Sequence, residues 1–361
     1  MMKRRTFLKA SAATAGGALV MGMPFIASAA TRLKFDSYVS ETAGPSWIDR
    51  WYLDELEKRT NGEVKIRRYW SGSLNKVGEH LSAVRDGTSE MTLISPGYYQ
   101  AELPVTRGLE WYFRMNYADS LQRVCRHVYE NFDPLRVEWE ERHGSKVLYW
   151  TNWNYAPLIL REPITSLEEL KGKRIRGYGV ATDVIEALGG TAIPMAAPEV
   201  YPALERGILD GVYGFDFVTA VAYKLHEIAP NFYDIGDGPH APAATVMNKE
   251  VYDGLPDDVR GVSDEIVAEI YDGKFTEIYE DVLGRYVEKA TSEGVTLNTI
   301  SDEEKKMARD LVQPGQVNKW IENVAPKAGI DGEQMQSIIS DAIAMYDPEG
   351  TLRRPYDISQ A

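Results

Sequence analysis

The strongest constraint on how this chain folds is a rhythm of short extended segments alternating with helical ones, run twice. Residues 33–39 read as a strand and 46–59 as a helix with Trp47, Trp51 and Leu56 near helical spacing, closed by Asn61-Gly62. Residues 64–69 alternate as a second strand, 75–86 form a helix that buries Val77, Leu81 and Val84, and 91–95 make a third strand. After a helical middle at 124–141 the rhythm resumes. Strands at 146–150, 173–178, 192–195 and 212–215 alternate with helices at 166–170, 182–188 and 198–206, the last with proline in its first turn. Such alternation indicates α/β layers joined by crossover connections.

Beyond these units lies a helical pattern from 256 to 292, which carries Gly273 and Gly284 and has no proline after its first residue. At about 1.5 Å per residue it is long enough to cross two lobes. Ser301 and Glu304 form a capping box for the next helix, and 331–345 supply the last. A chain of this length exceeds what one hydrophobic core usually holds, so two lobes are expected. The partition is residues 30–152 with 241–270 in the first, 153–240 in the second, and 256–361 as the long helix and C-terminal helices packing on both. With no flexible linker in sight, the lobes are expected to be joined by crossing strands.

The first thirty residues bear on the compartment. Lys3, Arg4 and Arg5 precede an apolar run from Ala10 to Ile26, and Ala27-Ser28-Ala29 fits a cleavage site, so residues 1–29 are expected to be a signal peptide. Arg4-Arg5-Thr6-Phe7-Leu8-Lys9 resembles a twin-arginine export signal, which points to a periplasmic protein exported by that route. Its removal deletes four basic side chains and no acidic one, taking the formal charge from −14 to −18. So acidic a surface repels nucleic acid and anionic lipid. No later stretch is apolar for long enough to span a membrane. The lone cysteine, Cys125, excludes an internal disulfide and a CxxC site.

Enzyme signatures are missing: the sequence has no G-x-S-x-G, H-E-x-x-H, P-loop or strand-linked G-x-G-x-x-G. Its five histidines are scattered without metal-ligand spacing. Neither a catalytic site, a metal nor a cofactor is therefore expected. The competing readings are a twin-arginine-exported enzyme and a ligand-binding partner of a sensor.

Three segments carry a resemblance. Tyr69 to Leu74 followed by Glu79 to Met91, Leu170-Lys171-Gly172-Lys173-Arg174-Ile175-Arg176, and Pro198 to Gly211 are similar in order and spacing to signatures of the DctP-like solute receptors of TRAP (tripartite ATP-independent periplasmic) transporters. Met247-Asn248-Lys249 and Leu255 to Val259 extend the match over nearly the whole chain. The resemblance implies a type II periplasmic binding fold, two lobes with a ligand cleft and a long lobe-spanning helix. It also implies a receptor that hands a small organic acid to the transporter's membrane subunits; the protein is expected to be a monomer.

Arg176 matches the family arginine that pairs with the ligand carboxylate, and a guanidinium fork suits that task. Taken alone it reads as a surface arginine at a strand end, like Arg174. Where many members carry a second arginine this chain has Tyr155, which argues for a monocarboxylate. Where some members help hold a metal it has Tyr213-Gly214-Phe215-Asp216, so no metal-bridged ligand is expected. Trp153, Tyr155, Tyr213, Phe215 and Asp216 are the expected further contacts, with Ser95 and Tyr98 beyond the third strand. Trp47 and Trp51 are assigned to packing.

Overall fold

The computed structural model describes residues 31–358. The expected signal peptide and twin-arginine motif lie outside the described residues.

Eleven strands among the described residues form two sheets. The first contains β1 (Thr31–Asp36), β2 (Val64–Tyr69), β3 (Met91–Ile94), β4 (Ser145–Asn152) and β10 (Pro242–Asn248) in the order β2-β1-β3-β10-β4. The second contains β5 (Leu158–Leu160), β6 (Arg174–Gly177), β7 (Thr191–Pro194), β8 (Gly211–Val212), β9 (Asn231–Asp234) and β11 (Thr296–Thr299) in the order β11-β9-β5-β8-β6-β7. β1 is parallel to β2 and β3, as β6 is to β7 and β8, because helices return the chain between them. β10 runs antiparallel between β3 and β4, since it re-enters the first sheet from the second.

Each sheet is apolar on both faces and covered on both. Phe35, Tyr149, Ala243 and Met247 face one core of the first sheet, and Ile94, Val147, Trp150 and Val246 the other. Ile159, Val212 and Phe232 face one core of the second sheet, while Leu158, Leu160 and Ile175 face the other. Such two-sided burial is what a mixed sheet covered on both faces requires.

Three connections pass between the sheets: residues 153–157, residues 235–241 and the helix Phe275–Ser292. That helix inserts Phe275 and Tyr279 into a core of the first sheet, and Val282, Leu283, Val287 and Ala290 into a core of the second. A large apolar side chain so buried contributes about 1.5–3 kcal/mol, so one helix ties together two lobes. On another side the helix Asp302–Asn323 does the same, with Ala308 and Val312 in the second lobe and Trp320 in the first.

The helical pattern at 256–292 is not one helix. It divides into Asp257–Glu269 and Phe275–Ser292 across a π-helical turn in which Gly273 takes φ +112°, a left-handed conformation open to glycine at little cost. The first piece packs on the first lobe alone; the second makes the crossing. The helix expected at 75–86 is likewise shortened to His80–Arg85. Ser46–Arg59 falls where its periodicity places it, and Ser301 caps its helix by accepting a bond from the Glu304 backbone at 3.2 Å. Among the described residues no helix is long and apolar enough to cross a membrane.

Candidate functional site

The parallel strands of both sheets present their carboxyl ends to the crevice between the lobes, where α/β sheets commonly hold ligands. Tyr38 follows β1, and Ser95 and Tyr98 follow β3. Arg176 and Tyr178 lie at the end of β6, and Gly214 and Phe215 beyond β8. These residues, apart from Ser95, line a small, narrow cavity between the lobes, completed by Trp153, Ala197 and Thr219.

Arg176 dominates the cavity. It is 1% exposed, and its Nε donates to the Met195 carbonyl at 3.0 Å. Nη1 reaches the carbonyls of Tyr213 and Gly214 at 3.3 and 3.4 Å, and Nη2 donates to the Tyr98 hydroxyl at 3.1 Å. The guanidinium lies over the rings of Phe215 and Tyr178, 4.5 and 4.8 Å from their centroids. Its partners are thus carbonyl dipoles, a phenol and aromatic faces. Among the described residues no carboxylate pairs with it, whereas Arg174, two residues away, is half-exposed and bonded to Asp210. Burying a cation without a counter-ion costs several kcal/mol even after relaxation, so this site is built to receive an anion.

Contacts across the crevice hold it shut. The Tyr98 and Tyr178 rings stack with centroids 4.9 Å apart, and the Tyr178 and Ser95 hydroxyls are 3.4 Å apart. Burial pushes both phenols above their ordinary range. Gly97 and Gly179 meet between the lobes: a Cβ on Gly179, itself at φ +54°, would lie 3.0 Å from the Gly97 Cα, and one on Gly97 would strike the Tyr178 ring at 2.8 Å. Two residues without side chains let the lobes meet backbone to backbone.

Of the residues expected from sequence, Arg176, Tyr98, Trp153 and Phe215 come together here. Ser95 stands behind them and accepts the Trp153 indole N–H at 3.1 Å. Three do not face the cavity. The Tyr155 hydroxyl is turned toward the C-terminal segment, donating to the Leu352 carbonyl at 2.9 Å and accepting the Ala118 N–H at 3.1 Å. Tyr213 offers Arg176 only its backbone, because its phenol donates to the Asp237 carboxylate. Asp216 caps the helix Phe217–Ala222 by accepting the Thr219 N–H at 3.0 Å, and burial raises its pKa to about 7.

Sequence reasoning passed over Tyr38, Tyr178 and Thr219. Tyr178 was within reach, since it follows Arg176 by the two-residue period that puts side chains on one face of a strand. Trp47 and Trp51 pack against the cores, with Trp47 between Arg50 and Arg285. Cys125 is buried, which pushes its thiol up and leaves it inert. Among the described residues no cluster of three or more histidine, cysteine or acidic side chains is placed to hold a metal.

Two α/β lobes that shut a cationic, aromatic-walled cavity between them define a class of proteins that grip a small solute rather than transform it. The chain belongs to the bacterial extracellular solute-binding proteins of family 7, the DctP family, whose profile matches residues 51–322. A 2,3-diketo-L-gulonate-binding periplasmic protein of Escherichia coli is 28% identical over 236 residues, 63% of this chain and 69% of its own. A TRAP solute-binding protein from Rhodoferax ferrireducens, solved with copurified benzoate, shares the fold at a TM-score of 0.78 and 20% identity, covering 88% of this chain and 99% of that one. A marine metagenome TRAP solute-binding protein specific for aromatic acid ligands, in complex with 3-hydroxybenzoate, does so at 0.79 and 24%, over 89% and 100%. The chain is a solute receptor, not an enzyme.

Proposed function

We propose that this protein captures a small organic monocarboxylate in the periplasm and delivers it to the membrane subunits of a TRAP transporter, having been exported by the twin-arginine route. One observation carries the ligand class: a buried arginine with no carboxylate partner among the described residues, at the closed face between two lobes. In this reading a ligand carboxylate displaces the Tyr98 hydroxyl from Nη2 and shares the fork with Nη1, while the Nε bond to Met195 keeps the guanidinium aimed. Among the described residues Arg176 is the one cation lining the cavity, so a second carboxylate would be buried without compensation. The aromatic walls formed by Tyr38, Tyr98, Trp153, Tyr178 and Phe215 suit a planar or cyclic body. Two proteins of the same fold are described with benzoate and 3-hydroxybenzoate, which agrees with these walls without establishing the ligand here.

The test is a thermal-shift screen of organic acids, since a ligand that binds only the folded state raises Tm by mass action. Hits are followed by calorimetry on the native protein and Arg176→Lys. Monocarboxylates should dominate, and lysine, which keeps the charge without the planar fork, should weaken them. Tight dicarboxylate binding, or affinity indifferent to Arg176→Lys, would overturn the reading.

A further inference from the structure

A second small cavity, with room for about one water-sized group, also borders the Tyr178 ring. Glu110, Tyr112, His240 and the Gly179 backbone line it together with Tyr178 itself, so the two cavities share one aromatic wall. Two of these lining residues carry a buried polar atom with no hydrogen-bond partner among the described residues: Glu110 Oε2 and His240 Nε2. Both residues are almost wholly enclosed, at 4% and 1% exposure.

Their chemistry is determined by their surroundings. His240 Nδ1 lies 3.2 Å from the Gly238 carbonyl, which can only accept, so Nδ1 carries the proton. Burial holds the ring's pKa down at about 3, which leaves it neutral and makes Nε2 an acceptor. Stacking on Tyr112, with centroids 3.8 Å apart, fixes its plane. Glu110 is an acceptor when ionised; burial lifts its pKa to about 7, against the opposing pull of Arg107. Glu138 and Asp119 are buried too but are matched: Glu138 accepts from Val105 N, Thr106 N and Thr106 Oγ1, and Asp119 from the backbone of Thr351 and Leu352. A buried acceptor left unmatched is costly, and two on residues lining one cavity call for a donor.

We propose that this second cavity is a subsite for the end of the ligand remote from its carboxylate, and that Glu110 and His240 there select acids bearing a hydrogen-bond donor. A primary ammonium fits best, because it brings three N–H donors and a charge opposite to that of Glu110; a hydroxyl comes second. The Tyr178 ring must turn aside to join the two cavities. That turn gives up the ring's stacking on Tyr98, its place under the Arg176 guanidinium and its packing on Gly97 and Gly214, so the ligand's own ring has to replace those contacts; the Tyr178 hydroxyl itself makes one contact, of 3.4 Å, to Ser95. This inference rests on Arg176 taking the carboxylate.

The experiment compares phenylacetate with its 3- and 4-hydroxy and 3- and 4-aminomethyl derivatives by calorimetry. The proteins are the native one, Glu110→Gln, His240→Phe, which keeps the stacked ring without the acceptor, and Arg176→Lys. An aminomethyl acid should bind the native protein at least about tenfold more tightly than phenylacetate. Glu110→Gln and His240→Phe should each erase most of that preference while leaving phenylacetate within about twofold. A panel with no such preference overturns the inference, as does a loss in Glu110→Gln shared equally by parent and derivative, which marks a structural role. Arg176→Lys should weaken every acid; if it does and Glu110→Gln leaves the preference intact, the carboxylate reading stands and the subsite falls. If Arg176→Lys changes nothing, the carboxylate reading itself fails.

Discussion

The two walls of the cleft are held in place by different means. On the second lobe, Arg176 is aimed by backbone carbonyls of its own lobe, those of Met195, Tyr213 and Gly214, and by the Phe215 ring. On the first lobe, Ser95, Tyr98 and Trp153 are held by one another's side chains and by contacts reaching across. When the lobes part, the bonds that break are those of the first wall; the arginine remains aimed. In the proposed reading, attraction of an anion therefore belongs to one lobe in either state, and recognition that depends on closure belongs to the other.

The largest effect should come from removing the fixed charge. Arg176→Ala is expected to weaken ligand binding by about 2–5 kcal/mol, the range for truncating one member of a buried charge pair, with secondary structure unchanged by circular dichroism. Tyr98→Phe should cost far less, and equal losses from the two would erase the distinction between the walls.

Closure is tested next. Gly97→Val places carbon atoms against the Tyr178 ring, and overpacking of this kind costs about 1–3 kcal/mol. Because the clash exists only in the closed state, affinity should fall while Tm without ligand barely changes. Small-angle scattering should then show no compaction on adding ligand, and normal compaction in the variant would remove the glycine contact from the account.

A smaller effect concerns pH. Asp216 and Asp237 in the second lobe and Glu110 at its border have pKa values raised to about 7 by burial, opposed by the hydrogen bonds that Asp216 and Asp237 accept and by Arg107 near Glu110. In the unfolded chain these carboxyls return to ordinary values near 4, so between roughly pH 4 and 7 the folded state binds more protons. Stability should consequently fall as pH rises through that window, seen as a lower Tm at pH 8 than at pH 5.5. Asp216→Asn should flatten the slope, and a Tm that climbs over the same range would contradict it.

The smallest effect is reserved for the outer surface. Lys319, on the helix Asp302–Asn323, meets Asp183 of the second lobe at 3.0 Å, with 62% and 36% of the two side chains exposed. Lys319→Ala should alter stability by no more than about 1 kcal/mol, as for other solvated pairs.

Legibility in the sequence followed the same division between periodic structure and side-chain direction. Ser46–Arg59 and the cap at Ser301 could be read because spacing and capping chemistry are local. β5, β9, β10 and β11 were not read, β10 despite its seven residues, because it is buried on both faces and shows no alternation; the strand expected at 212–215 meets β8 at Val212 alone. The place of Arg176 at the crevice could be expected through its motif. Tyr155 was misjudged because its backbone does lie near the hinge, while its hydroxyl follows the carbonyl of Leu352, nearly two hundred residues later. Glu110 and His240 gave no signal, since each sits in an aperiodic segment and only the fold brings them to one space.

The placement of β10 between β3 and β4 governs how the molecule is made. As the chain is synthesised, residues 91–152 emerge with the inner edges of both strands bare, and the strand that joins them arrives only after the whole intervening lobe. The shared helix Phe275–Ser292 arrives later still, carrying the aromatic plugs that finish the first core and the aliphatic ones that finish the second. A ribosome-bound chain halted at residue 240 therefore displays unpaired strand edges, the surfaces most prone to wrong pairing. Neither lobe can be exchanged as a cassette at 153–157 without taking from the other the residues that complete it.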